Sequence, residues 1–301
     1  MKCSLFTVSF AGLWGQHRLT LEESIDRTAD LGYAGIEIMA KRPHLSPLDY
    51  SLRDCARLRK QLDKRGLTVA ALAAYTNFTG GLESAEVPWN EFQAAYIEAL
   101  AERAAILGGE KLIRVFSSYE RDDMTFFAQW QRTVDALREC CDRAARHGVT
   151  IGLQNHHDIG VATKTLMEIV RQVERPNLIP MLDCWTVHLR GEPMVDSVKA
   201  AVARMRFTTV ADYVVLPRSR YLGEYVNYVE QKPAAVLAVP MGEGDLDYST
   251  FFRALEKGGF DGWVSFEMCS PVRGGGALAN LEHYARAFVA YMKRWGGKRR
   301  R

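Results

Sequence analysis

Five times along this chain a helical stretch ends on glycine and runs at once into a short β-branched or apolar segment. Leu31-Gly-Tyr leads into Gly35-Ile-Glu-Ile-Met39, and Arg65-Gly66 into Leu67-Thr-Val-Ala-Ala71. Leu107-Gly-Gly109 precedes Lys111-Leu-Ile-Arg-Val-Phe116, His147-Gly148 precedes Val149-Thr-Ile-Gly-Leu153, and Gly258-Gly259 precedes Gly262-Trp-Val-Ser-Phe-Glu267. Glycine closes a helix because it takes the left-handed cap geometry without a Cβ penalty. Repetition of that joint fixes an alternation of helix and strand, and alternation implies right-handed crossovers and a parallel sheet.

The helical stretches carry one apolar stripe each. From Met124 to His147 the stripe is Phe127, Trp130, Val134, Leu137, Cys141 and Ala144; the last helix repeats it with Leu281, Tyr284, Phe288, Tyr291 and Trp295. Steps of three and four mark one helix face. Thr20-Leu-Glu-Glu23 is a capping-box start, and Asp247 is placed to cap the helix that follows it. Strand starts fall near 3, 34, 67, 111, 149, 178, 206 and 262. Eight strands interleaved with helices predict an α/β fold, a closed (β/α)8 TIM barrel in a single domain over residues 1–295. A doubly wound open sheet is the runner-up, and no GxGxxG follows the first strand to support it. The connection between Asp212 and Asp247, with three prolines and Tyr213, Tyr221, Tyr225 and Tyr228, reads as a lid or an oligomer contact.

The chain has 301 residues, 48% hydrophobic and 25% charged, so a sizeable core is available. Its net charge of +3 owes much to Lys298-Arg299-Arg300-Arg301; residues 296–301 read as a basic, disordered tail. A near-neutral body argues against nucleic acid as a partner. The six cysteines include no CxxC pair, which fits reduced thiols in the cytoplasm better than a disulfide framework. No apolar run is long enough for a membrane span, and the start shows no signal-peptide pattern.

Barrels of this kind do their chemistry at the C-terminal ends of the strands. The polar residues there are Glu37, Arg114, the run Gln154-Asn-His-His-Asp158, Asp183, Asp212 and Glu267. Asp183 and Glu267 each close an apolar strand; two carboxylates at one mouth suit a divalent cation, while a lone Asp more often caps a helix. Trp14 and Trp185 offer faces for a sugar ring or for loop packing, and His188 is either pocket-lining or an exposed helix-start residue. Arg273-Gly-Gly-Gly276 is either a phosphate loop or a connector. Glu37 and Arg114 either position substrate hydroxyls or form an ion pair across the mouth.

The order of elements resembles the sugar phosphate isomerase/epimerase family, the xylose isomerase-like barrels. The matching pieces are Gly35-Ile-Glu37, Gln154-Asn-His156, Met181-Leu-Asp183, Met241-Gly-Glu-Gly-Asp-Leu-Asp247 and Ser265-Phe-Glu267. The resemblance implies a divalent metal, Mn²⁺ or Mg²⁺, on Glu, Asp, His and Glu from strands five to eight. Here that gives Asp183 and Glu267, with Gln154 where a glutamate is expected and Thr209 where a histidine is expected. The Gln154 carbonyl or His156 would complete the set, or the site would be metal-free. It also implies proton transfer beside a carbonyl, with Glu267 and His156 as proton carriers, since Gln154 cannot accept a proton. Glu37, Arg114, His157, Trp185, Asp212 and Glu243 are the expected substrate contacts.

The expectation is therefore a metal-dependent isomerase or epimerase acting on a small carbohydrate-type substrate, with assembly as a homo-oligomer left open. The His156-His157 pair also resembles the inosose dehydratase branch, which keeps a lyase acting by β-elimination on an oxo-sugar or cyclitol as the alternative. A non-catalytic sugar-binding barrel is the rival from another class. The DNA-repair endonucleases that share the barrel need a His-rich multi-zinc set that is missing here.

Overall fold

A computed structural model describes residues 1–81 and 86–295; the basic tail expected at 296–301 lies outside the described residues. Eight parallel strands form one sheet: β1 (Lys2–Phe6), β2 (Gly35–Met39), β3 (Thr68–Ala73), β4 (Leu112–Val115), β5 (Thr150–Gln154), β6 (Leu178–Met181), β7 (Phe207–Val210) and β10 (Trp263–Phe266). Their order is β6-β5-β4-β3-β2-β1-β10-β7, and a parallel bridge from Asp183 to Thr209 joins the two ends. The helices between them are α1 (Leu21–Asp30), α2 (Leu52–Arg65), α3 (Trp89–Leu107), α4 (Phe126–Ala145), α5 (Thr163–Val173), α6 (Cys184–Leu189), α7 (Met194–Ala201), α8 (Tyr248–Lys257) and α9 (Leu278–Met292). This is a xylose isomerase-like TIM barrel, built as the glycine joints predict.

Local chemistry sets the helix ends. Thr20 and Glu23 form a reciprocal capping box on α1, and Ser51 with Asp54 does the same on α2. Asp247 accepts from the Thr250 N–H at the start of α8. Gly66 closes α2 at φ 66°, where a side chain would be strained. In α4 the stripe from Val134 to Ala144 is buried as its spacing predicts, but Phe127 is 80% exposed because it lies in the first turn, before the helix reaches the sheet.

The period-two alternation of strands sorts the interior into two layers. Leu112 precedes Arg114, Gly152 precedes Gln154, Met181 precedes Asp183, Phe207 precedes Thr209, and Trp263 precedes Ser265 and Glu267, each two residues apart on one face. The lower layer is apolar: Ala70, Ala71, Leu112, Ile179, Met181, Phe207 and Trp263 form one buried cluster. A Cβ at Gly152 would sit 2.4 Å from Met181 Sδ, so glycine there makes room for that plug. The upper layer is polar and faces the strand ends. A much larger apolar cluster lies between the sheet and the helices.

The segment after β7 is neither a loop nor a helix. It is a two-stranded antiparallel arm, β8 (Asp212–Leu222) and β9 (Asn227–Val239), in a sheet of its own. Its base is buried at Tyr213, Ala238 and Val239, while Tyr221, Tyr225 and Tyr228 near its tip are exposed.

Candidate active site

A cleft of about 420 Å³ opens at the C-terminal ends of the strands. Its lining includes Lys41, Arg114, Gln154, His156, His157, Asp183, Trp185 and Glu267. Phe6, Tyr75, Phe116 and Tyr213 supply its aromatic walls. A larger groove of about 690 Å³ runs between α5 and α7, but none of the strand-end residues lines it.

Two carboxyls stand on one side of the cleft, Asp183 buried and Glu267 half-buried. Asp183 begins α6 and caps it: Oδ1 accepts from the Trp185 N–H at 2.9 Å and Oδ2 from the Thr186 hydroxyl at 3.1 Å. Asn155 clamps its backbone, Oδ1 accepting from the Asp183 N–H at 2.6 Å. Glu267 directly follows β10 and is fixed by its N–H donating to the Val210 carbonyl. Burial raises both carboxyls well above the ordinary range; the Glu267 charge pushes Asp183 further up, and Arg114 pulls Glu267 back. Charge on Glu267 therefore disfavours ionisation of Asp183.

Arg114 is the hub of the opposite side. It is 3% exposed, with Nη1 donating to Gln154 Oε1 at 2.7 Å and Nε 3.3 Å from Glu37 Oε1. Phe116, Phe6 and Tyr75 surround its guanidinium, with ring centroids 4.5, 5.2 and 5.6 Å away. Nε and Nη2 have no hydrogen-bond acceptor of good geometry. Glu37 is fully buried beneath the cleft rather than lining it; burial pushes its carboxyl up to about 7 against the pull of Arg114.

The histidines form a local unit. His156 Nδ1 accepts from the His157 N–H at 2.9 Å, which places the His156 ring proton on Nε2. Its Nδ1 also lies 2.9 Å from His157 Nδ1. His157 holds a left-handed backbone at φ 62°, a strained choice for a non-glycine residue. Its ring stacks on Tyr119 at 3.9 Å, and both imidazoles lie 4.5 Å from Phe116. Desolvation, helped by the Arg114 charge, lowers both pKa values, although His156 keeps an open edge at the mouth.

Asp212 and Glu243 are not brought into the cleft lining. The Asp212 carboxylate accepts from the N–H groups of Gly242, Gly244 and Tyr213, so it holds the Gly-Glu-Gly loop. A Cβ at Gly244 would lie 2.0 Å from Asp212 Oδ1, which is why that loop needs glycine. Glu243 is exposed and faces Arg273 at 3.8 Å. The Arg273 loop is pinned by Asn280 and Tyr284, which donate to its carbonyls. Trp185 and Trp14 both line the mouth, and His188 lies beside Trp185 at 6.0 Å. Lys41, Tyr75, Tyr213 and Cys269 were not marked by strand-end reasoning, because they sit just beyond a strand or on the arm. Lys41 had a signal: it follows β2 by two residues.

The expected divalent ion meets a donor set that does not fit it. Among the described residues no three of His, Cys, Asp and Glu are grouped so as to share an ion. The Gln154 carbonyl is taken by a guanidinium, and its amide donates to Thr209 Oγ1 at 2.6 Å. His156 offers no free nitrogen lone pair in this arrangement. A fixed cation beside the site opposes a second one.

The comparisons agree with the architecture. A model of the xylose isomerase-like TIM barrel matches residues 25–295. The inosose dehydratase of Geobacillus thermodenitrificans (strain NG80-2) is 25% identical over 285 residues, 91% of this chain and 89% of that protein. Among solved structures, the IOLI protein with a binding zinc atom superposes with a TM-score of 0.75 at 21% identity, over 99% of this chain and 100% of that one. D-psicose 3-epimerase with D-tagatose from Clostridium cellulolyticum H10 gives 0.73 at 18% identity, over 98% and 99%. No helix of the described residues is long and apolar enough to cross a membrane. With its eight-stranded parallel sheet, its strand-end cleft and a family match running from α1 to the end of α9, the chain belongs to the xylose isomerase-like TIM barrel family.

Proposed function

We propose that this chain is a dehydratase of a small cyclic keto-polyol of the inosose type, removing water by β-elimination. The observation that carries the reading is that two carboxyls, Asp183 and Glu267, line the one cleft, each pushed up by desolvation. An elimination needs one base and one acid at the same mouth, and two carboxyls of raised pKa, one ionised and one protonated, supply both. The ionised member takes the proton beside the ketone, and the electron pair moves to the carbonyl oxygen. The resulting enolate expels the β-hydroxyl, which takes the proton of the other carboxyl and leaves as water. Substrate becomes enone plus water, with no net redox change. His156 lines the same cleft, its Nε2–H available to hydrogen-bond a substrate hydroxyl, and Trp185 and Trp14 line the mouth beside it.

The dehydratase reading, the alternative at the level of sequence, is supported over isomerase or epimerase by the full-length likeness to inosose dehydratase. Gln154 supports it too: proton exchange on both faces of one carbon wants two carboxylates there, and Gln154 cannot accept a proton. Because the Mn²⁺ or Mg²⁺ expected from the resemblance finds no fitting donor set, no step is routed through a metal.

Incubating the protein with an inosose and, separately, with a ketohexose in D2O tests the reading by NMR. Loss of water from the inosose with no deuterium exchanged into the ketohexose is expected. Epimerised, deuterated ketohexose with an intact inosose would contradict it.

A further inference from the structure

The two departures from the expected ligand set are one structural unit, not two separate losses. Arg114 Nη1 donates to Gln154 Oε1 at 2.7 Å, and Gln154 Nε2 donates to Thr209 Oγ1 at 2.6 Å. The chain crosses the barrel from β4 through β5 to β7. A glutamine suits its middle position because it accepts at one end and donates at the other. A glutamate there would accept from Arg114 but could not donate to Thr209. The relay therefore fixes the guanidinium at the cleft while spending the oxygens at 154 and 209 that an ion would need.

What Arg114 keeps is charge and unused donors. Nη2 has no acceptor, Nε meets Glu37 at 3.3 Å without hydrogen-bond geometry, and the residue lines the cleft. A buried guanidinium with unspent N–H groups is costly unless a ligand atom completes it. Lys41 reinforces the same side, its ammonium 3.8 Å over the Tyr75 ring that Arg114 also faces. The cleft is thus polarised, with Lys41 and Arg114 from the β2 and β4 side facing Asp183 and Glu267 from the β6 and β10 side.

We infer that Arg114 is the electrophile of this site: its guanidinium holds the substrate's carbonyl oxygen and the negative charge that develops there, so water is lost without a metal ion. This rests on the dehydratase reading. When the base removes the proton beside the ketone, the electron pair ends on the carbonyl oxygen, and Arg114 stabilises that oxyanion by charge-assisted hydrogen bonds. The charge returns to the ring as the β-hydroxyl leaves with its proton.

Three measurements test the inference. Wild-type protein, dialysed against chelator and assayed with an inosose, should keep its turnover, and titration calorimetry with Mn²⁺ and Zn²⁺ should show no saturable one-to-one binding. The double variant Gln154→Glu, Thr209→His, which supplies the missing carboxylate and imidazole, should gain that binding. Arg114→Ala should lose about 10²–10³-fold in kcat, the scale of a lost oxyanion donor, and recover part of it when guanidinium ion is added. A merely structural role for Arg114 would give no such rescue. Should Arg114→Ala fail to fold, Arg114→Lys replaces it: lowered turnover that stays independent of metal supports the inference, and unchanged turnover overturns it. Turnover abolished by chelation and restored by one equivalent of Mn²⁺ or Zn²⁺ also overturns it, while leaving the dehydratase reading intact. If no water is lost under any condition the dehydratase reading falls instead, and saturable ion binding by the wild type would then overturn the inference by itself.

Discussion

His44 shows how one residue ties the sequence to the pH range of the fold. It is fully buried, with Nδ1 2.9 Å from the Thr7 hydroxyl and Nε2 3.2 Å from the Leu19 carbonyl. Burial, with Arg18 adding to it against the Leu19 hydrogen bond, pushes its pKa from 6.5 down to about 4. The unfolded chain therefore binds a proton between those values that the folded chain refuses. Stability from this residue is complete above pH 6.5 and is lost as the pH falls toward 4, at about 1.4 kcal/mol per pH unit within the window. Glu37 works in the opposite sense: raised from 4.5 to about 7, it favours the fold at acid pH and loses that contribution as the pH rises through 7. His44→Gln keeps a donor and an acceptor but cannot titrate. Urea midpoints measured from pH 4 to 7 should rise less steeply with pH in this variant than in the wild type; equal slopes would refute the assignment. Nothing in the sequence marked His44, because a lone histidine beside Pro43 carries no periodic signal.

Among the elements, the short helix α6 holds the clearest division between fold and chemistry. Asp183 caps it and also lines the cleft, so of its sequence readings the helix cap is seen directly. Asparagine caps as well as aspartate. Asp183→Asn should therefore melt within a few degrees of the wild type while kcat for water loss falls about 10²-fold or more. Asp183→Ala should lose roughly 1 kcal/mol in addition. Calorimetry beside a steady-state assay separates the two effects. The joints at Gly66 and Gly148 were legible because glycine takes a positive φ without a Cβ penalty. The β8–β9 arm was not legible as strands. Its outer part is exposed on both faces, so the apolar alternation that reveals a strand is weak, and its prolines read as breakers. Pro217 lies where the ladder shifts register between Leu216 and Arg218, a place where a missing N–H is tolerated. Its base nevertheless matters to the site, since Tyr213 and Val236 line the cleft.

At the scale of the whole molecule, barrel closure and the active site depend on the same residues. The Asp183–Thr209 bridge joins β6 to β7, and the Arg114–Gln154–Thr209 relay runs just inside it. Two-residue alternation then lifts Arg114, Gln154, Asp183, Thr209 and Glu267 above the apolar plug. That geometry explains why strand-end reasoning found Arg114, Gln154, Asp183 and Glu267. It explains equally why the same reasoning misassigned the surroundings of Asp212, which is one residue past the inward-facing phase that Thr209 sets and turns toward the Gly242–Gly244 loop. The partners of each residue were beyond the sequence: that Gln154 answers to Arg114 and Thr209 is a fact of packing across three strands. The central claim is that the Asp183 and Glu267 carboxyls at this mouth drive loss of water from a cyclic ketone. It is tested most directly by following enone absorbance from an inosose with wild-type protein and with Glu267→Gln at matched, verified folding. Enone formation by the wild type with a loss of at least about 10²-fold in the variant is the predicted result; equal rates in both proteins would contradict the account.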